Sequence, residues 1–249
     1  MRRGEHLDDR VPDLESTIES YFGPITGTEE ADDIRGSLND DVVTGQGGDD
    51  EISLLAGDDI ARGNTGDDAI DMGDDNDRAF GQEGADTIMG GAGDDFLRGG
   101  DDADTLTDTE GADTLFGDSG NDVIAGSSFS TPAGADGDTE GDELFGGLGD
   151  DQITFGDDDT VGGGIGADTM TTSAAISGSV ITDFEIGVDT LVVTTQSGEA
   201  PTPAITYSDG ATATEGDATV TLDGAPLMTV QGVGTSFTAS DITLQAASA

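Results

Sequence analysis

An aspartate recurs every nine residues between positions 27 and 125, and this spacing is the feature of the sequence that could do chemistry. Cutting the segment every nine residues from Gly27 gives eleven blocks without a gap, such as GGAGDDFLR (90–98). The sixth residue of every block is aspartate, the fourth is usually glycine and the eighth is always apolar, which indicates a true repeat. The sixth-position aspartates are Asp32, Asp41, Asp50, Asp59, Asp68, Asp77, Asp86, Asp95, Asp104, Asp113 and Asp122.

The spacing predicts columns of carboxylates that need a cation. If block n stacks on block n+2, Asp86 lies beside Asp68 and Asp104. Two unit charges 5 Å apart repel by about 3 kcal/mol at an effective dielectric of 20. Repeated along a column, this exceeds the roughly 5–15 kcal/mol that holds a domain together. Carboxylate and carbonyl oxygens are hard ligands, and six to eight of them suit Ca²⁺ better than the octahedral Mg²⁺. The sequence therefore predicts multiple calcium sites.

Each block has the composition of a tight turn followed by a short strand. Glycine adopts positive φ without steric cost, so six residues rich in glycine and aspartate can turn the chain. Three residues then form a strand whose eighth-position side chain points inward. Two blocks complete one coil of a flattened solenoid. Glutamate tolerates a left-handed backbone less well than aspartate or asparagine, so the blocks with Glu30 and Glu140 at position four are expected to depart most from this geometry.

Further blocks follow the unbroken run. Residues 126–136 (GSSFSTPAGAD) interrupt the repeat and are predicted to form a surface loop. Blocks resume at 137–154, slip by one residue within 155–162, and finish at 163–171. They add three sixth-position aspartates to the predicted metal ligands, namely Asp142, Asp151 and Asp168.

The block resembles the nonapeptide G-G-x-G-x-D-x-U-x of the RTX (repeats-in-toxin) family. In that family the repeat forms a parallel β-helix that binds Ca²⁺. The resemblance covers more than half of the chain. It implies an all-β fold, a parallel β-roll that is a right-handed β-solenoid of calcium-binding nonapeptides, with a β-rich C-terminal cap. The segment VITDFEIGVDTLVV (180–193) resembles the I-x-D-F-x-x-G-x-D stretch that follows the repeats in this family.

Composition excludes several classes of function. The formal net charge is −48, with 55 acidic residues and only seven basic ones, so nucleic-acid binding and attraction to an anionic membrane surface are disfavoured. The chain has no cysteine and one histidine, which argues against zinc or copper. No apolar stretch is long enough for a transmembrane helix.

We expect three regions. Residues 1–26 form a leader in which 11–22 has helical spacing and could cap the first coil. Residues 27–171 form the roll, and residues 172–249 form a β-rich cap. The family resemblance implies an uncleaved type I secretion signal at the C-terminus, and hence a type I secretion apparatus as partner. Asp183 and Asp189 either bind calcium at the junction or form a solvated turn.

The sequence favours a secreted or cell-surface, calcium-binding protein that is not an enzyme and whose roll folds on meeting extracellular calcium. Two alternatives stay open. One is the terminal module of an RTX enzyme or toxin, although the chain lacks H-E-x-x-H and G-x-S-x-G motifs. The other is a calcium-stiffened structural or adhesive rod. The biological target is not predicted.

Overall fold

The structure, a computed structural model, describes residues 23–108, 110–126, 141–173, 176–195, 203–207 and 216–246. The predicted helix at 11–22 and all but the first residue of the predicted loop at 126–136 lie outside these ranges. No helix within them is long and apolar enough to cross a membrane.

The described chain is a parallel β-roll, as the repeats predict. Successive strands alternate between two sheets. In spatial order the first sheet contains β1 (Ile25–Thr26), β3 (Val42–Gly47), β5 (Ile60–Thr65), β7 (Arg78–Glu83), β9 (Phe96–Asp101), β11 (Thr114–Ser119), β13 (Glu143–Leu148), β15 (Thr160–Ile165), β17 (Ser179–Ile181), β21 (Ala225–Val230), β20 (Ala218–Leu222) and β19 (Pro203–Tyr207). The second contains β2 (Asp33–Arg35), β4 (Glu51–Ser53), β6 (Ala69–Asp74), β8 (Thr87–Ala92), β10 (Thr105–Thr107), β12 (Val123–Ala125), β14 (Gln152–Thr154), β16 (Thr169–Ser173), β18 (Thr190–Thr195) and β22 (Ile242–Ala246).

The register of the sheets follows the nonapeptide period. Ile70 pairs with Ile88 and Leu97 with Leu115, so each coil advances the chain by two blocks. Across the interruption the pairing step lengthens, because Leu115 pairs with Leu144. In the next coil it shortens by one residue relative to the regular step, and Leu144 pairs with Val161. The predicted insertion and one-residue slip are both visible in this register.

The core is the stripe of eighth-position side chains. In most strands of the repeats the eighth-position residue is buried between exposed or half-buried neighbours, as Ile88 is in β8 and Ile124 in β12. Leu97, Leu106 and Leu115 are 0% exposed. Most first-sheet strands are six residues long rather than three, because they continue into the first three residues of the next block. The glycine at the start of that block, such as Gly45, therefore also lies on the buried face of the strand.

The turns use left-handed backbone at two positions of the block. Position four is left-handed in every block between residues 45 and 125, and Asp75 (φ 79°) and Asp102 (φ 76°) replace glycine there. Between residues 45 and 125 every described residue at position two is also left-handed, even where a larger residue occupies it, as at Leu55 (φ 81°). Sequence reasoning missed this second position because its residues vary. Neither Glu30 nor Asn39 is left-handed, so the first two blocks both depart from the geometry, although asparagine was expected to tolerate it. Glu140 lies outside the described residues.

Leu55→Gly should stabilise the calcium-loaded protein by about 1 kcal/mol, since a left-handed conformation costs a non-glycine residue roughly 1–2 kcal/mol. The leucine side chain is 51% exposed, so little burial is lost. Denaturant unfolding in saturating calcium measures the change. Leu38→Gly is the control, because Leu38 is 70% exposed without a left-handed backbone. Equal destabilisation by both substitutions would contradict the prediction.

The C-terminal flank continues both sheets beyond the repeats. β17 pairs with β15 and β18 with β16, so no break in either sheet marks the compositional change at residue 172. The first sheet ends in the antiparallel strands β21, β20 and β19. Two short 3₁₀ helices, Gly234–Ser236 and Ala239–Asp241, precede β22. Phe237 is 0% exposed and packs edge-on against Phe184 at 5.4 Å, which gives this end of the roll an apolar core.

Candidate metal centre

The sixth-position aspartates form two columns, one along each turn-bearing edge of the roll. Each edge carries every second block, because consecutive blocks lie on opposite edges. The first column, following the first-sheet strands, contains Asp32, Asp50, Asp68, Asp86, Asp104, Asp122, Asp151 and Asp168. The second, following the second-sheet strands, contains Asp41, Asp59, Asp77, Asp95, Asp113 and Asp142.

Within each column the aspartates are linked by a ladder of hydrogen bonds. The backbone N–H of Asp68 donates to Oδ1 of Asp86 at 2.8 Å, and that of Asp86 donates to Oδ1 of Asp104 at 2.8 Å. The carbonyl oxygen of Asp86 in turn accepts from the N–H of Thr105 at 2.8 Å. Stacked parallel coils impose this geometry, since equivalent residues are adjacent across the sheet. Asp86 thus lies between Asp68 and Asp104, as the spacing predicts.

The second carboxylate oxygen, Oδ2, is buried and lacks a partner along most of both columns. Burial of a polar atom without a hydrogen bond is costly, and burial of a charge is costlier. No described backbone group donates a hydrogen bond to the Oδ2 atoms of the following aspartates: Asp50, Asp59, Asp68, Asp77, Asp86, Asp95, Asp104, Asp113, Asp122, Asp151 and Asp168. Each of these side chains is at most 3% exposed. Rows of buried oxygens without a donor are the local signature of a cation site.

Glycine at position one leaves room for these oxygens. A Cβ atom on Gly81 would lie 2.0 Å from Oδ2 of Asp86. On Gly117 it would lie 2.2 Å from Oδ2 of Asp122 and 2.6 Å from the carbonyl oxygen of Gly146 in the next coil. Carboxylate and carbonyl oxygens from adjacent coils therefore face the same side of the glycine. This arrangement explains why every described block of the first column begins with glycine.

Burial raises the pKa of the column carboxyls whose Oδ2 lacks a backbone donor. It does so to about 7 for Asp86 and Asp104, and to about 6 for Asp68 and Asp151. Desolvation is the largest cause, and the charge of the neighbouring aspartate in the column adds to it. The backbone N–H received from the previous coil acts in the opposite direction. Without a cation, these carboxyls of the folded roll thus stay protonated to a higher pH than free aspartate does, and those with a pKa of about 7 are about half-protonated at neutral pH.

The ends of the columns differ from their middle. Oδ2 of Asp32 accepts from the N–H of Thr28 at 2.6 Å, and Oδ2 of Asp41 from that of Ser37 at 2.7 Å. Both aspartates are only half-buried. Both lie in their columns, but the Oδ2 atom of each is bonded to a backbone N–H of its own block. They are therefore the predicted metal ligands with the least structural support.

Two further aspartates lie where the repeats meet the C-terminal flank. Asp189 extends the first column, because its Oδ1 accepts from the N–H of Asp168 at 3.1 Å and its Oδ2 from that of Glu185 at 2.6 Å. Asp183 accepts from the N–H groups of Gly163 and Gly164 at 2.9 and 3.0 Å. Both carboxylates thus stabilise the last coil through backbone donors.

Sequence reasoning missed two buried aspartates. Asp159 takes the sixth-position place in the second column, since its Oδ1 accepts from the N–H of Asp142 at 2.9 Å. The one-residue slip removed it from the nine-residue count. Asp108 stands at position one, where glycine was expected, and it is 1% exposed. Its proximity to Asp95 and Asp113 could not be read from spacing along a single column.

Side chains at position five form a second ladder, which is exposed. Here each N–H donates to a side chain in the preceding coil, whereas in the buried columns it donates to the following coil. The N–H of Asp67 donates to Oδ1 of Asp49 in the preceding coil at 3.1 Å, and that of Ala85 donates to Oδ1 of Asp67 at 2.9 Å. Asn76 takes part through its own side-chain oxygen, which accepts from Asp94 at 2.9 Å. An uncharged residue serves equally here, so this ladder satisfies turn backbone and differs from the buried columns.

The donor set fits calcium. The oxygens that converge at position one are carboxylate and backbone carbonyl oxygens, which are the ligands that Ca²⁺ takes in proteins. The sixth-position aspartates of the two columns would hold it, together with turn carbonyls such as that of Gly146. When bound, calcium supplies the positive charge that offsets the stacked carboxylates. The fold and these columns together define a parallel β-roll of metal-binding repeats.

Comparison with known proteins agrees with this class. The family described as the RTX calcium-binding nonapeptide repeat (4 copies) matches residues 26–61, 46–79, 62–97, 72–106 and 98–130. A search of curated proteins found no match. Residues 26–130 therefore match the RTX calcium-binding nonapeptide repeat.

Proposed function

We propose that this chain is a secreted calcium-binding protein whose roll folds when it meets extracellular calcium, and that it acts by binding rather than by catalysis. One observation carries the proposal: a continuous row of buried Oδ2 atoms, from Asp50 to Asp168, has no donor among the described residues. An ion-free roll would bury these charges next to one another. Calcium between the coils removes that cost.

Binding and folding are coupled in this proposal. The sites are assembled from adjacent coils, so they do not exist in the unfolded chain, and binding energy becomes folding energy. At the low free calcium inside a cell the aspartates repel and the chain stays extended, which suits export as an unfolded polypeptide. Outside the cell, millimolar calcium fills sites of the roughly 10⁻⁴–10⁻³ M class that extracellular modules use.

The C-terminal flank supports an order of folding. The flank buries the apolar side chains of Ile181, Leu191 and Phe237, whose burial needs no ion. β17 and β18 continue the two sheets. A folded flank therefore offers one strand edge in each sheet with which the preceding repeat can pair. We propose that this cap nucleates the roll and that the extreme C-terminus carries a type I secretion signal.

A calcium titration tests coupled folding. The full chain is equilibrated in excess chelator at pH 7.5, and far-UV circular dichroism is followed as free calcium rises. We expect little β signal at first and a cooperative increase with a midpoint of about 10⁻⁴–10⁻³ M. Magnesium at equal concentration is the control and should produce much less signal. A β signal that is already complete in chelator would refute the proposal.

Export requires its own test. The full chain is expressed in a host with and without a functional type I secretion apparatus, and culture medium and cells are compared. The proposal expects the intact chain in the medium only when the apparatus is present. Retention in the cells under both conditions would remove the export claim and leave calcium binding untouched.

A further inference from the structure

Asp108 occupies a position that most other blocks give to glycine. It begins block 108–116, and its side chain is 1% exposed. Its backbone N–H donates to the carbonyl oxygen of Ala125 at 2.8 Å, and its Oδ1 accepts from the N–H of Gly91 at 3.3 Å. These bonds to the preceding and following coils hold the Asp108 carboxylate in one place.

Three carboxylates converge at this point. One oxygen each from Asp95, Asp108 and Asp113 lies within 4.8 Å of the other two. Asp95 and Asp113 are 3% and 1% exposed. Their Oδ1 atoms accept from the N–H groups of Asp77 at 2.7 Å and Asp95 at 2.9 Å, whereas no backbone group in the described ranges donates to their buried Oδ2 atoms. The cluster thus contains two buried carboxylate oxygens without a backbone donor.

Gly90 makes room for the third carboxylate. A Cβ atom there would lie 1.9 Å from Oδ2 of Asp108 and 2.6 Å from Oδ2 of Asp95. The equivalent positions two and one coils earlier hold Leu54 and Met72, whose side chains are 0% exposed. The second column thus carries apolar side chains in its early coils and an extra carboxylate in the middle of the roll.

The charge of this cluster sets it apart from the regular sites. Elsewhere in the columns a cation meets sixth-position carboxylates and turn carbonyls, whereas here Asp108 adds a carboxylate from position one. The affinity of calcium sites rises with the number of charged ligands and the rigidity of the site. All three carboxylates lie on turns that the hydrogen bonds above fix in place.

We propose that Asp95, Asp108 and Asp113 form a calcium site that binds more tightly than the nonapeptide sites and fills first. The inference rests on the proposed function, since it ranks the sites of the same roll. An ion held there joins blocks 90–98 and 108–116 before the remaining coils are loaded. The roll then has a metal-bound nucleus in its middle in addition to the apolar cap at its C-terminal end.

Native mass spectrometry of the full chain, titrated with calcium alone, tests this order. In the wild type, one ion should bind at about 10-fold lower free calcium than the rest. Asp108→Asn keeps the size of the side chain and removes its charge, so the early step should be lost while the later steps and the β signal at saturating calcium remain. Gly90→Ala should have the same effect by steric exclusion. Asp71→Asn, at an exposed position of β6, is the charge-matched control and should leave the early step unchanged.

The titration separates failure of the tight site from failure of calcium binding by the whole roll. If the wild type has no separate early step, or if Asp108→Asn keeps it, the inference is overturned while calcium binding by the roll stands. If the wild type binds no calcium, the proposed function itself fails. Should Asp108→Asn not fold at saturating calcium, Asp108→Gly restores the common residue, and an early step that persists in that variant overturns the inference.

Discussion

A chain in which Asp68, Asp86 and Asp104 are all replaced by asparagine should bind fewer calcium ions and show more β structure in excess chelator than the wild type. These aspartates are consecutive in the first column. Asparagine still offers Oδ1 to the N–H of the previous coil, so the ladder is kept. The charges are lost, and with them a repulsion of about 3 kcal/mol for each pair 5 Å apart. The substitution thus weakens calcium binding and calcium dependence together.

The control for this triple variant removes the same charge from the surface. Asp71, Asp74 and Asp101 are exposed and lie outside both columns, so their replacement by asparagine should alter neither ion count nor β signal in chelator. Native mass spectrometry counts the ions, and far-UV circular dichroism follows the fold. Equal responses of the two triple variants would attribute the effect to net charge and contradict the role of the column.

Much of the fold could be predicted because the sequence period equals the structural period. Each coil comprises two blocks, so counting nine residues placed Ile88 opposite Ile70 and Asp86 beside Asp68. The apolar eighth residue also indicated the core, as Leu115 shows at 0% exposure. In a solenoid the long-range contacts of a residue are fixed by its place in the repeat, which is why local spacing carried so much information.

The count failed where the chain leaves the period. Asp159 follows the one-residue slip and enters the second column although it lies off the nine-residue grid. Asp189 reaches the first column from outside the repeats, through a flank whose sequence has no nonapeptide pattern. Asp108 occupies a position where a resemblance to the repeat predicts glycine. Register across the sheets and convergence at a turn are three-dimensional properties, and spacing along the chain did not contain them.

The flank and the repeats are stabilised by different forces. The repeats have a thin stripe of apolar side chains and depend on cations to neutralise their columns. The flank instead buries Phe184, Phe237 and Leu227 in a cluster that resembles an ordinary core. Hydrophobic burial does not require calcium, so the flank should keep structure under conditions in which the repeats unfold. This difference fits a cap that stays folded while the roll responds to the ion.

Acidification should partly replace calcium in folding the roll. Burial raises the pKa of Asp59, Asp77 and Asp104 to about 7, whereas the ordinary value in an unfolded chain is 3.8. A raised folded-state pKa means that the ion-free fold gains its full stability from these groups below about pH 4 and loses it as pH rises through 7. In calcium-free buffer, the β signal of the repeats should therefore be lost at pH 8, leaving only that of the flank, and should be partly recovered at pH 5.

Calcium binding should change in the opposite direction, because calcium needs the deprotonated carboxylates. The free calcium required for half-maximal folding should be higher at pH 5 than at pH 8. Far-UV circular dichroism of metal-free protein across pH 5–8, with and without calcium, measures both trends, and pH 5 stays above the sequence pI of about 4.1. In the Asp68, Asp86 and Asp104 triple variant the acid-induced gain should be smaller, since three of the titrating groups are gone. An ion-free chain whose β signal is unchanged between pH 8 and pH 5 would show that the stacked carboxylates are not the charges that keep the roll open.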